Sequence, residues 1–151
     1  MNNLILLLDE FWRWTGLFKD KWWNVDINDL PLDSTQFDYS GEICNECIKL
    51  INTPMSGEEI RYFLMGLAIN SEDEDILEAM KMSASDKFLV DILSVGISYP
   101  QADARWQLCE LLRRDIPDRD YFLNILINDS DEYVVRRARS VLSDILQNNK
   151  L

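Results

Sequence analysis

Apolar side chains recur along this chain at intervals of three and four residues, and the polar residues between them fall on the far side of a 3.6-residue turn. The pattern predicts helices almost throughout, and no stretch alternates long enough to predict a strand. A first helix over about residues 3–18 carries Leu4, Ile5, Leu7, Leu8, Phe11, Trp12, Trp14 and Phe18. So wide an apolar arc predicts burial on more than one side. Trp12 and Trp14, two positions apart, cannot share a face of a straight helix; either the helix is buried all round or one Trp lies at a surface.

Residues 19–40 are less regular, with Trp22-Trp23, Pro31 and the aspartates Asp26, Asp29, Asp33 and Asp38. Asp-Leu-Pro-Leu-Asp predicts a loop or short turns, because the residue before Pro31 is pushed out of the helical region. From residue 41 the punctuation is cleaner. Glu42 to Asn52 puts Ile43, Cys47, Leu50 and Ile51 on one helical face. Ser56-Gly57-Glu58-Glu59 has capping-box spacing and opens a helix through Ile60, Phe63, Leu64, Leu67 and Ala68. Ser71-Glu72-Asp73-Glu74 repeats that signature, and its carboxylates suit the positive end of the next helix dipole. Further helices are expected at about 86–96, 101–114, 118–128 and 131–147, with Pro100 and Pro117 near helix starts.

A faint internal repeat runs through these helices. Ile60-Arg61-x-x-Leu64-x-x-Leu67-Ala68 matches Ala104-Arg105-x-x-Leu108-x-x-Leu111-Leu112, and Val134-Val135-x-x-Ala138-x-x-Val141-Leu142 follows with its Arg136 displaced by one position. These residues resemble HEAT repeats, most plainly from Asp129 to Leu142, where an acidic turn leads into a helix carrying Val, Arg and small residues. The likeness is good over about 100–147, loose over about 42–97 and absent over 1–40, and its spacing is unequal. It implies an all-α fold, a HEAT-like stack of antiparallel helix pairs (an α-solenoid), in one compact domain over 1–151. Residues 1–40 would supply a helix and an irregular acidic and aromatic segment, and 41–151 the repeats. An irregular helical bundle is the plainer alternative, since amphipathic helices share such patterns by chance.

Composition adds a strong constraint. The 151 residues carry a formal charge of −12, yet at 47 % hydrophobic and 11 % aromatic they can bury a core. Residues 1–86 hold six Lys+Arg against seventeen Asp+Glu, and residues 87–151 hold nine against ten, so nearly all the net charge lies in the first part. Such acidity argues against nucleic acid and anionic membrane as partners, because both are met with Lys and Arg. The apolar run after Met1 has no preceding positive charge and ends at Asp9-Glu10, which argues against a targeting segment, and no run is long enough for a membrane span. A cytoplasmic protein is expected.

The sequence offers little chemistry. It has no histidine, which removes the usual general base near neutral pH and the usual nitrogen ligand of transition metals. Cys44-Asn45-Glu46-Cys47 lacks the second half of a zinc site, and no strand precedes it as in a redox motif; two small apolar residues on a core face are the better reading. Glu72 to Asp75 lacks the glycine and alternate spacing of a calcium loop. Arg113, Arg114, Arg119, Arg136, Arg137 and Arg139 resemble the phosphate grip of HEAT-like DNA glycosylases, but each group has acidic neighbours, so pairing within the molecule is expected. No enzyme, cofactor or metal is expected.

In size, acidity and helical-repeat character the chain resembles bacterial immunity proteins of toxin–immunity pairs, including those of contact-dependent growth inhibition. The resemblance implies a heterodimer with a basic cognate toxin, such as a nuclease, whose active site an acidic surface would occlude. The expected contact residues are Trp22, Asp26, Asp29, Asp33, Asp38, Tyr39, Glu42 and Glu46, with Glu72, Asp73, Glu74 and Asp75 as a second group. The alternative is a HEAT-like adaptor that binds a cellular protein through a concave helical face near Glu59, Tyr62, Asp103, Gln107 and Glu110.

Overall fold

Eight α-helices and no strand occur among the described residues of the computed structural model, which are 1–17, 21, 25–30, 33 and 36–150. They are α1 (Asn2–Thr15), α2 (Ser40–Leu50), α3 (Gly57–Ile69), α4 (Asp75–Ser83), α5 (Asp86–Gly96), α6 (Ala102–Leu111), α7 (Arg119–Leu126) and α8 (Glu132–Asn148). A 3-10 turn, Ile27–Asp29, lies in the irregular segment. The all-helical expectation therefore holds.

The helix ends follow from local chemistry. α1 stops at Thr15 rather than near residue 18 because Gly16 takes the left-handed conformation, φ 78°, and its N–H turns back to the Arg13 and Trp12 carbonyls. The capping box at α3 forms as spaced: Glu59 N–H donates to Ser56 Oγ at 3.2 Å, and Ser56 N–H donates to Glu59 Oε2 at 2.8 Å. The box expected at Ser71 does not form. Glu74 is the N-cap of α4 and makes no side-chain cap, while the buried Asn70 accepts the Ile76 N–H on its Oδ1 at 3.0 Å. Asn70, just past the end of α3, thus joins two helices that the sequence shows as separate signals.

One hydrophobic cluster draws buried side chains from all eight helices. Its centre is α3 and α6: Phe63 to Ile69 and Ala104 to Leu111 are buried without interruption. Helices α1, α2 and α5 pack on α3, and α4, α5, α7 and α8 on α6. Helices α3 and α6 run side by side in the same direction. Arg61, early in α3, stands 5.8 Å from the centre of the Tyr99 ring just before α6, and Gln107, late in α6, donates to the Leu67 carbonyl at 2.9 Å. Helix α8 repeats the relation to α6: Trp106 meets Tyr133 at 5.7 Å, Glu110 meets Arg137 at 3.0 Å, and Arg113 meets Asp144.

Close approach of α2 to α3 depends on Gly66. A Cβ there would fall inside the contact distance of the buried Cys47 Sγ. Gly66→Ala should lower stability by roughly 1–2 kcal/mol, because overpacking outweighs the helix propensity that alanine adds. In a Cys47→Ala background the same change should be near neutral; equal losses in both backgrounds, read from urea unfolding, would show that the thiol is not the obstacle.

Candidate partner-binding surface

A series of aromatic rings leads from the core to the surface at the junction of α1 and α2. Trp12 is buried and its indole N–H points at Met65 Sδ, 3.0 Å away. Trp14 is half-buried, 5.9 Å from the Phe11 ring and 5.5 Å from the Phe37 ring. The two tryptophans of α1 thus divide, one to the core and one to its flank. Phe37 is buried and meets Phe11 edge-on at 5.4 Å, and Tyr39 stands edge-on to Phe37 at 5.6 Å. Tyr39 itself is 49 % exposed. Trp22, the other aromatic expected here, lies outside the described residues, as does Trp23.

Two carboxylates flank the outer end of this series. Asp38 is exposed in the turn before α2, and Glu42 is exposed in its first turn, three residues beyond Tyr39 and so on the same side. Helix α2 packs on α4, and the charges of Asp75 and Asp73 both act on the Cys44 thiol of α2. The acidic turn therefore lies beside the N-terminal half of α2, and two groups separated by some thirty positions in sequence come together. Glu72, Asp73 and Asp75 are exposed; Glu74 is half-buried. Glu46 is half-buried and holds Lys49 at 2.8 Å, so part of its charge is answered within the helix.

The first group is not one patch. Asp26 and Asp29 flank Ile27, whose N–H donates to the buried Gln101 Oε1 at 2.9 Å. Gln101 precedes α6, and α3 runs parallel to α6, so this turn sits at the starting end of both helices. Glu72 to Asp75 follow the finishing end of α3. Asp33 is exposed, but its neighbours on either side lie outside the described residues.

The other candidates are tied up. Gln107 and Glu110 are buried, at 0 % and 7 % exposure, so they cannot line an open concave face. Gln107 donates to the carbonyls of Leu67 and Asp103, and Glu110 accepts from Arg113 Nε at 2.8 Å and faces Arg137. Five helices around α6 produce this burial. Glu59 is engaged in the cap of α3. Arg114 pairs with Asp86 at 2.6 Å and Arg119 with Asp115 at 3.7 Å, so pairing within the molecule accounts for much of the arginine group. Arg136 and Arg139 make no ion pair among the described residues; Arg136 lies over the Tyr133 ring at 5.3 Å. The best-buried pair, Arg105 with Asp129, joined at 2.8 and 2.9 Å, has no local signature in the sequence.

The cysteines are free and buried. Burial pushes the Cys44 and Cys47 thiols up, and neighbouring carboxylates add to it, which is opposite to what a reactive pair requires. No group of three or more His, Cys, Asp or Glu among the described residues is placed to hold a metal ion, and no described helix is long and apolar enough to cross a membrane. Comparison with protein families, with curated proteins and with solved structures gives no match.

Proposed function

We propose that this chain is an inhibitor of the immunity type, which stays in the cytosol and binds a basic toxin, such as a nuclease, over its active site. The observation that carries the reading is the convergence of α2 and α4. Exposed Tyr39 stands with exposed Asp38 and Glu42 at the start of α2, and exposed Glu72, Asp73 and Asp75 lie at the start of α4, which packs on α2; an aromatic residue within an acidic face is the usual anatomy of a tight interface. Carboxylates at this rim would take the place of substrate phosphates, speed encounter with a positive surface, and lose effect as salt rises. The scaffold is read as HEAT-like. Its support is the parallel succession of α3, α6 and α8, the three helices that carry the sequence repeat, with α5 and α7 each lying against two of them.

The first test is the neighbouring gene: this reading expects a large exported toxin encoded there, whose purified toxin domain binds this chain, and an unrelated operon would count against it. Glu42→Lys with Asp73→Lys should slow association by roughly tenfold or more at low salt, and the helical circular dichroism should persist. Asp120→Lys with Glu132→Lys, an equal change of charge on α7 and α8, should leave the rate within about threefold. Equal effects from the two pairs would reduce the surface to a general charge effect, and no effect from the first would end this reading.

A further inference from the structure

We propose that Tyr39 is an arginine-selective contact, whose ring takes the planar guanidinium of one exposed arginine of the partner while Asp38 and Glu42 hold its N–H groups. The inference rests on the reading above and names the partner chemistry that this surface selects. Tyr39 is held in place before binding: its ring stands edge-on to the buried Phe37, itself edge-on to Phe11. The Tyr39 carbonyl accepts the Ile43 N–H at 3.0 Å, fixing the backbone at the start of α2, and its side chain does not cap that helix. Among the described residues no other aromatic ring and no cation lies against it, and Tyr39 remains 49 % exposed.

Elsewhere in the chain a tyrosine near a helix start does take guanidinium groups on its ring. Tyr133 lies in the first turn of α8 beside Asp131 and Glu132, and both Arg136 at 5.3 Å and Arg137 at 5.8 Å lie over its ring. Tyr39 follows one acidic residue, Asp38, and the position three residues on is Glu42 where Tyr133 has Arg136. No described arginine lies over the Tyr39 ring, so an arginine taken there would be the partner's. Lysine is a poorer fit: its ammonium is compact and strongly hydrated, whereas a guanidinium stacks on an aromatic face and still offers edge N–H groups to two carboxylates.

Nona-arginine and nona-lysine peptides of equal charge separate shape from charge. Titrated against the whole chain at low salt, nona-arginine should bind about tenfold tighter than nona-lysine. Tyr39→Leu should abolish that preference while leaving nona-lysine affinity unchanged, Tyr39→Phe should retain it, and Tyr133→Leu should not affect it. A preference that survives Tyr39→Leu, or equal affinity of the two peptides for the unaltered chain, would overturn the arginine contact and leave the acidic surface intact. Binding of neither peptide would remove both.

Discussion

Asp129→Asn should destabilise the protein by about 3–5 kcal/mol, with a fall in melting temperature on the order of 10 °C for a chain of this length. The side chains of Arg105 and Asp129 are only 10 % and 7 % exposed, so each charge has given up most of its water. What compensates is geometry. Arg105 Nε and Nη2 donate to the two Asp129 oxygens at 2.8 and 2.9 Å, and Nη1 donates to the Tyr99 and Pro100 carbonyls at 2.7 and 2.9 Å. Asp129 Oδ1 also accepts the Asp131 N–H at 2.9 Å. One guanidinium thereby ties the loop before α6 to the loop before α8. Removing the carboxylate strands a buried cation, and that penalty exceeds the net worth of the pair. Arg105→Met with Asp129→Asn should recover part of the loss, because the stranded charge is gone. A loss below about 1 kcal/mol for the single change would place the pair with ordinary surface ion pairs.

Sequence showed the parts of this arrangement but not the pairing. Arg105 stands out in the repeat and Asp129 in the acidic turn before α8, yet 24 residues separate them, and no local spacing links them. The same holds for the caps. Ser56 and Glu59 satisfy each other within four residues, so the motif and the structure agree. Ser71 and Glu74 have the same spacing, but the competing group, Asn70, gains its advantage from burial at the end of α3, which is a tertiary fact. The face expected near Gln107 and Glu110 was misjudged because polar residues on a helix suggest exposure; here each is answered by a carbonyl or an arginine inside the packed layers.

The candidate surface was legible to a similar depth. Its acidic and aromatic membership could be read directly, as could the lack of histidine. Its boundaries could not. The acidic turn before α4 comes beside α2 because the two helices pack together, and Asp26 and Asp29 part from it because Ile27 is anchored at Gln101. That anchor is a backbone N–H bound to a side chain 74 positions away, a contact with no signature in composition or periodicity.

Between pH 9 and pH 11 the protein should lose roughly 5 kcal/mol of stability, much of the 5–15 kcal/mol typical of a folded domain. Burial pushes the Cys109 thiol from 9.0 to about 12, with the Glu110 and Asp129 charges adding to the rise and Arg137 opposing it. Burial pushes Cys47 and Tyr99 up as well. These groups hold their protons more tightly folded than unfolded. Their contribution is therefore whole below the unfolded values, near 9 for the thiols and near 10 for the tyrosine, and is lost as pH climbs toward the folded ones, at about 1.4 kcal/mol per pH unit for each group. Denaturant midpoints at pH 7, 9, 10 and 11 should stay level and then drop. Growing self-repulsion of an acidic chain pushes the same way, so the decisive comparison is Cys47→Ala with Cys109→Ala. That variant starts less stable, because two buried groups are truncated, but its decline above pH 9 should be markedly shallower. An equal slope in both proteins would assign the alkaline loss to surface charge, and rapid thiol labelling at pH 8 without unfolding would show that the cysteines are not held as the packing describes.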